Sequence, residues 1–213
     1  MQASPQTPAP RRIEIAPGFT CEDWQALVNK LEPQGHWEPC PKEWEKAISV
    51  LQKRIQHRYF DAVKALQSLL FSGFAVMALD CLLLESIQAF RAGKRAETPQ
   101  ESRIAYKSLL LNSPQFRSSF PDEKAVDDFY TNVRNSLLHD GETRSGYLIR
   151  RDSALVERLP DGFTVINRTK FHIAVVKEFE TYIAELGLAV NRDLRKKYVA
   201  AITDLCKRSQ PKP

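Results

Sequence analysis

The stretch Phe129-Tyr130-Thr131-Asn132-Val133-Arg134-Asn135-Ser136-Leu137-Leu138-His139-Asp140-Gly141 decides how this chain is read. On a helical wheel of about 100° per residue, Val126, Phe129, Tyr130, Val133 and Leu137 share one arc. Arg134, Asn135 and His139 fall on the opposite arc, with Asn135 and His139 one turn apart. Asp140-Gly141 then ends the helix and leaves His139 in its last turn, beside carbonyls without intrahelical partners. One helix, expected over Asp122 to Leu138, thus gives its apolar side to a core and presents Arg, Asn and His away from it.

That trio suits one kind of reaction. An imidazole takes or gives a proton near neutral pH. A guanidinium offers a rigid fork to phosphate oxygens and stabilises charge that develops on them. The Asn can orient the imidazole or donate to a phosphate. Together they can support attack by a ribose 2′-hydroxyl on the adjacent phosphate without a metal. A single His serves as acid or base but hardly as both, and a two-fold dimer would supply the second set.

Working outward, the rest of the chain reads as helices. Thr20 with Asp23 three residues on marks a capped helix start, followed by Trp24, Leu27, Val28 and Leu31 at helical spacing. Pro33 and Gly35 end that helix. From Pro41, Trp44, Ile48, Leu51, Ile55, Tyr59, Ala62, Leu66 and Leu69 step by three or four, the strongest periodic signal in the chain. Ser72-Gly73 breaks or kinks it. Phe74 to Phe90 is apolar on nearly every side, as suits the centre of a bundle or a subunit interface, and Gly93 and Pro99 close it. Ile104 to Leu111 reads as a short helix. Between residues 146 and 167 the pattern alternates around a Pro160-Asp161-Gly162 turn, so a small β-hairpin insertion of two or three strands is expected there. Two helices finish the chain. Phe171, Val175, Phe179, Tyr182 and Leu186 line the first, capped by Gly187. Leu194, Tyr198, Ala201, Ile202 and Leu205 line the second, with Asn191 as its N-cap. The expected fold is an all-α bundle with a small β insertion before the last two helices.

Composition sets the frame. The chain has 213 residues, 43% hydrophobic and 27% charged, which excludes wholesale disorder. Four Cys are too few for a disulfide scaffold and point to reduced thiols. The start is polar and Pro-rich, with no signal-peptide pattern. The most apolar window, Leu69 to Leu84, is interrupted by Asp80, so no membrane span and a cytoplasmic location are expected. Residues 1–17 read as a flexible arm, 18–190 as the helical domain and 191–213 as a basic helix and tail. Residues 1–190 hold 24 basic and 24 acidic side chains, whereas 191–213 hold seven and two. Arg192, Arg195, Lys196 and Lys197 are therefore the candidates for contact with an RNA backbone, against the alternative of a plain solvated face.

The run Arg134-Asn135, three residues, then His139 at a helix end resembles the R-x4-H motif of the HEPN superfamily, as do its helical surroundings. The likeness covers roughly residues 41–190 and is closest to HEPN proteins of bacterial defence and toxin–antitoxin systems. It implies a metal-independent endoribonuclease, a toxin or anti-phage effector, that works as a homodimer and leaves 2′,3′-cyclic phosphate ends. Arg134 and His139 would be catalytic, with Asn135 supporting them, and no cofactor or metal is implied. An antitoxin or other defence partner would accompany it. Some members carry a Tyr two residues after the His, which a nucleotidyltransferase antitoxin modifies. Gly141 stands there in this chain, so the likeness does not extend to that regulation. The alternatives are a non-catalytic HEPN module that binds RNA or a nucleotide or acts as a dimeric scaffold or regulator, and a plain helical partner-binding protein.

Buried carboxylates need partners, and members of the family often place an acidic residue near the motif Arg, so Asp80 or Glu85 is a candidate to orient Arg134. Cys21, His36 and Cys40 suggest zinc only loosely, because close C-x2-C pairs and a fourth ligand are missing. His57 and His172 stand alone in their helices. Eight glycines form no phosphate-cradling loop, and neither a Gly-x-Ser-x-Gly elbow nor a Cys/His nucleophile pattern occurs.

Overall fold

The computed structural model describes residues 12–33, 37 and 40–211. Helices dominate it, with two small sheets beside them. The first sheet is a short antiparallel pair, β1 (Glu14–Ala16) and β2 (Phe19–Thr20). This corrects the flexible arm in part: Ile15 and Ala16 are buried in the core, while residues 1–11 lie outside the described ones. Helix α1 (Cys21–Leu31) starts on the expected capping box, in which Thr20 Oγ1 accepts from the Asp23 amide and the Asp23 carboxylate accepts from that of Thr20.

The long periodic segment forms α2 (Pro41–Ile55), a π-helical turn (Gln56–Phe60) and α3 (Asp61–Gln67). After a break at residues 68–72 comes α4 (Gly73–Ala92). It is long and apolar enough to cross a membrane, but here it is the central helix. Val76, Met77, Cys81, Leu83, Leu84, Ile87 and Phe90 are buried in the core, with α5, α8 and α9 packed around them. Helix α5 (Pro99–Asn112) begins five residues before Ile104, on a second capping box between Thr98 and Glu101. Pro99 therefore opens this helix rather than closing the previous one, as its fixed φ and missing amide allow at a first helical position.

The segment after the motif makes a three-stranded sheet in the order β3 (Tyr147–Arg150), β5 (Thr164–Asn167), β4 (Val156–Arg158). β4 and β5 are an antiparallel hairpin, but β3 runs parallel to β5 in register Tyr147 to Thr164. The insertion is thus a mixed sheet and not a hairpin alone, with β4 serving as the crossover. Helix α8 (Arg168–Gly187) buries the five expected residues, and its C-cap is Leu188, one residue beyond Gly187.

Helix α9 (Arg192–Ser209) does not stand apart as a tail. Tyr198 and Ile202 belong to the same core as Trp24 and Trp44. The Tyr198 ring meets those two indoles edge-on at 5.7 and 6.0 Å, the arrangement aromatic quadrupoles favour. Its hydroxyl donates to the Ala47 carbonyl at 2.8 Å, so the buried polar atom is paired. Asn191 precedes α9 as expected, but its side-chain amide donates to the Glu185 carbonyl at the end of α8 instead of capping α9.

Candidate functional site

The motif helix is built in three pieces: α6 (Glu123–Phe129), a π-helical turn (Tyr130–Asn135) and α7 (Ser136–His139). Asp122 caps the first, accepting from the Ala125 amide at 2.8 Å. The expected apolar arc is confirmed, since Val126, Phe129, Tyr130, Val133 and Leu137 are all buried. The polar arc is altered. A π turn holds more residues than an α turn, so side chains within and after it shift around the axis. Arg134 lies against α4, paired with Glu85, rather than pointing away from the protein. Two hydrogen bonds serve carbonyls in the wide turn: Ser136 Oγ donates to Thr131 at 3.0 Å, and the Arg144 amide donates to Asn132 at 2.9 Å. Gly141, at φ +73°, follows α7 and lets the chain turn back.

Arg134 is held on three sides. It forms an ion pair with Glu85 of α4, donates through Nη1 to Asn135 Oδ1 at 2.7 Å, and lies over the Tyr130 ring, 5.3 Å from its centroid. Ser102 of α5 donates to the same Glu85 Oε1 at 2.7 Å. Burial is the largest single influence on Arg134 and opposes its charge, but the Glu85 carboxylate together with Tyr106 and Tyr130 overcomes it and holds the guanidinium above its usual pKa. Its Nε is buried with no hydrogen-bond partner among the described residues. Asn135 thus serves the arginine and not the imidazole. His139 is exposed, and no side chain among the described residues hydrogen bonds to it.

Arg134, Asn135, His139 and Glu85 line one open groove of about 670 Å³. Residues of α5 and of the loop between α4 and α5 complete its lining. A bound phosphodiester there would meet a fixed guanidinium and a free imidazole together, the pairing that proton transfer at a phosphate requires.

Of the two acidic candidates, only Glu85 reaches Arg134. Asp80 is 1% exposed and hydrogen bonds instead with His172, with 2.7 Å between Oδ1 and Nδ1. Its Oδ2 is buried without a partner among the described residues. Burial pushes the Asp80 carboxyl above its ordinary pKa, with the His172 contact acting in the other direction.

The basic candidates on α9 divide as well. Arg195 is 7% exposed. Its Nε and Nη2 donate to the Leu186 and Gly187 carbonyls at 2.9 and 2.8 Å, and its guanidinium stacks 4.6 Å from the Trp44 ring centroid. It satisfies the end of α8 and is not available to a phosphate, which corrects its assignment as an RNA contact. Arg192 is exposed and donates to the Trp37 carbonyl at 3.2 Å. Lys196 and Lys197 are exposed.

Of the loose zinc set, Cys21 is buried, exposed Cys40 donates to the Glu43 carboxylate, and His36 lies outside the described residues. Among the described residues no three His, Cys, Asp or Glu side chains group as a metal site. Sequence reasoning missed Tyr130 and Ser102 as parts of the site. Tyr130 read only as a core residue, and a lone Ser gives no signal. It also missed Lys94 and Arg95, which line the groove, although a basic pair directly after the glycine that ends α4 was there to be noticed. Comparison of the chain with family models, with curated proteins and with solved structures finds no match.

Proposed function

We propose that this chain is a HEPN-type endoribonuclease acting on cytoplasmic RNA as a homodimer, in the manner of a toxin or anti-phage effector. The observation that carries the reading is a single groove in which Glu85, Tyr130 and Asn135 fix Arg134 while His139 stays exposed and free. Preorganised charge of this kind stabilises a transition state without reorganisation at the moment of reaction. His139 takes the proton from a ribose 2′-hydroxyl, and the oxygen attacks the adjacent phosphorus. The bond from phosphorus to the 5′-oxygen breaks, and the partner's His139 protonates that oxygen. Arg134 stabilises the charge on the non-bridging oxygens. The products are a 2′,3′-cyclic phosphate and a free 5′-hydroxyl.

The test is incubation of purified protein with total RNA in excess EDTA, beside His139→Ala and Arg134→Lys. Cleavage by the parent that leaves cyclic-phosphate ends and drops at least about 100-fold in both variants is expected, since general acid–base catalysis supplies about 10²–10⁴. Absence of cleavage by folded, dimeric parent defeats the reading. A second reading, a non-catalytic HEPN module that binds RNA, is favoured by one feature: Glu85 already occupies Arg134. It predicts RNA binding that survives His139→Ala, with no cleavage by the parent.

A further inference from the structure

Loop residues Lys94 to Thr98 line the groove, and Gly93, directly before them, lies against α9. Gly93 ends α4 in the left-handed conformation, at φ +81°. A Cβ placed on it would come 3.2 Å from Lys197 Cα, Cβ and Cγ. The two segments thus touch through a residue without a side chain. Lys94 and Arg95 follow Gly93 at once, are exposed, and line the groove. Lys197 is exposed on the α9 side of the same junction. Two cations at the groove and a third across the Gly93 junction on α9 are thus neighbours.

Glu97 and Glu101 line the groove beside Lys94 and Arg95, yet only one ion pair forms there among the described residues. Lys94 lies 4.0 Å from Glu101, but that carboxylate accepts from the amides of Glu97 and Thr98 as the helix cap of α5. Arg95 and Lys197 form no ion pair among the described residues. Exposed cations that are unpaired or only loosely paired can neutralise a polyanion and gain from the counterions released.

We infer that Lys94, Arg95 and Lys197 form a phosphate rail that leads single-stranded RNA from the groove onto α9. The inference rests on the RNA reading above and adds where the rest of the strand lies. It also explains which of the basic α9 residues meets RNA: Lys197, at the junction, and not buried Arg195.

The test measures binding of a fluorescein-labelled 20-nucleotide single-stranded RNA by anisotropy, in EDTA, from 50 to 200 mM salt. His139→Ala is the common background, so that the probe stays intact. The variant set is Lys94→Gln, Arg95→Gln and Lys197→Gln together. The charge-matched control is Lys42→Gln, Lys53→Gln and Lys64→Gln, exposed residues of α2 and α3 that do not line the groove. Three lost phosphate contacts reduce the salt slope by about 2, so fourfold more salt weakens the background protein by about 20-fold more than the rail variant. The control set keeps the background slope. Equal slopes for rail and control sets overturn the rail, even where the parent cleaves RNA. A reduced slope in the rail set alone supports it, even where the parent fails to cleave. RNA that does not bind the background protein at all defeats both readings.

Discussion

Helix α4 carries two acidic side chains five residues apart, and each holds a basic side chain in a different setting. Asp80 is closed inside the bundle with His172, at 1% and 13% side-chain exposure. Glu85 faces the groove with Arg134, at 26% and 14%. The first pair is sealed by Phe60, whose ring meets the imidazole edge-on at 5.9 Å. The second is backed by the Tyr130 ring and stays open on the side where His139 lies. Both pairs touch a π-helical turn: Phe60, beside His172, ends one, and Arg134 itself sits in the other. The first pair serves the fold and the second serves a site. Desolvation makes a closed pair costly to break, while an open pair costs less to lose but steers whatever binds beside it.

The largest expected effect breaks the closed pair. Asp80→Ala leaves His172 without its hydrogen-bond partner inside the core and should lower stability by about 2–3 kcal/mol in urea unfolding. Cleavage per folded molecule should be unchanged. A loss of less than about 1 kcal/mol would mean that the pair is not sealed.

Glu85→Gln comes next and inverts the pattern. The amide keeps the size and can still accept from Ser102, but it no longer fixes the guanidinium by charge. Stability should fall by about 1 kcal/mol or less, because the pair is partly open to solvent. RNA cleavage should fall about 10-fold, the loss of about 1.4 kcal/mol at the transition state. The drop should lie in kcat, with KM nearly constant, because a misaimed Arg134 costs the transition state more than the bound strand.

How far this contrast is legible in the sequence depends on the residue. The amphipathic repeats of α1, α2 and α8 and the capping box at Thr20 are local patterns, and local patterns are what a single sequence displays. The trio Arg134, Asn135 and His139 is local too, and all three do line one groove. Which carboxylate reaches Arg134 is not local. Asp80 and Glu85 both sit in an apolar run, and only the packing of α5 and the motif helix against α4 separates them. The π turns were invisible for a related reason: steps of three and four residues continue through Ile55, Tyr59 and Ala62, so the periodic signal passes over the wide turn. Arg195 shows the limit of counting charge, since three basic residues in a row differ only in which one faces the end of α8. β3 beside β5 is hidden because parallel pairing joins residues about 17 apart, beyond any turn signal.

A smaller effect sharpens the comparison through pH. The folded-state pKa of Asp80 lies above its ordinary value, so the folded protein holds that proton more tightly than the unfolded chain. Stability from this source is complete below about pH 4, the ordinary carboxylate pKa, and is lost as pH rises through the raised value. Asp80→Asn keeps the shape and cannot ionise. The difference in unfolding free energy between parent and variant should therefore drift in the variant's favour above about pH 4. The drift has a ceiling of about 1.4 kcal/mol per pH unit for one proton. A flat difference from pH 4 to pH 8 would show that Asp80 titrates in the folded protein as it does in the unfolded chain.

The smallest effect probes the open pair from its other side. Ser102 donates to the Glu85 oxygen that also meets Arg134. Ser102→Ala removes that donor and leaves the carboxylate to the guanidinium alone. The oxygen keeps one charged partner and borders an open groove, so no buried acceptor is stranded, and stability should fall by about 0.5–1 kcal/mol. Cleavage should fall by about threefold or less, and the double variant with Glu85→Gln should be no worse than Glu85→Gln alone, because Ser102 acts on Arg134 only through Glu85. Effects that simply multiply in the double variant would instead place Ser102 in independent contact with the substrate.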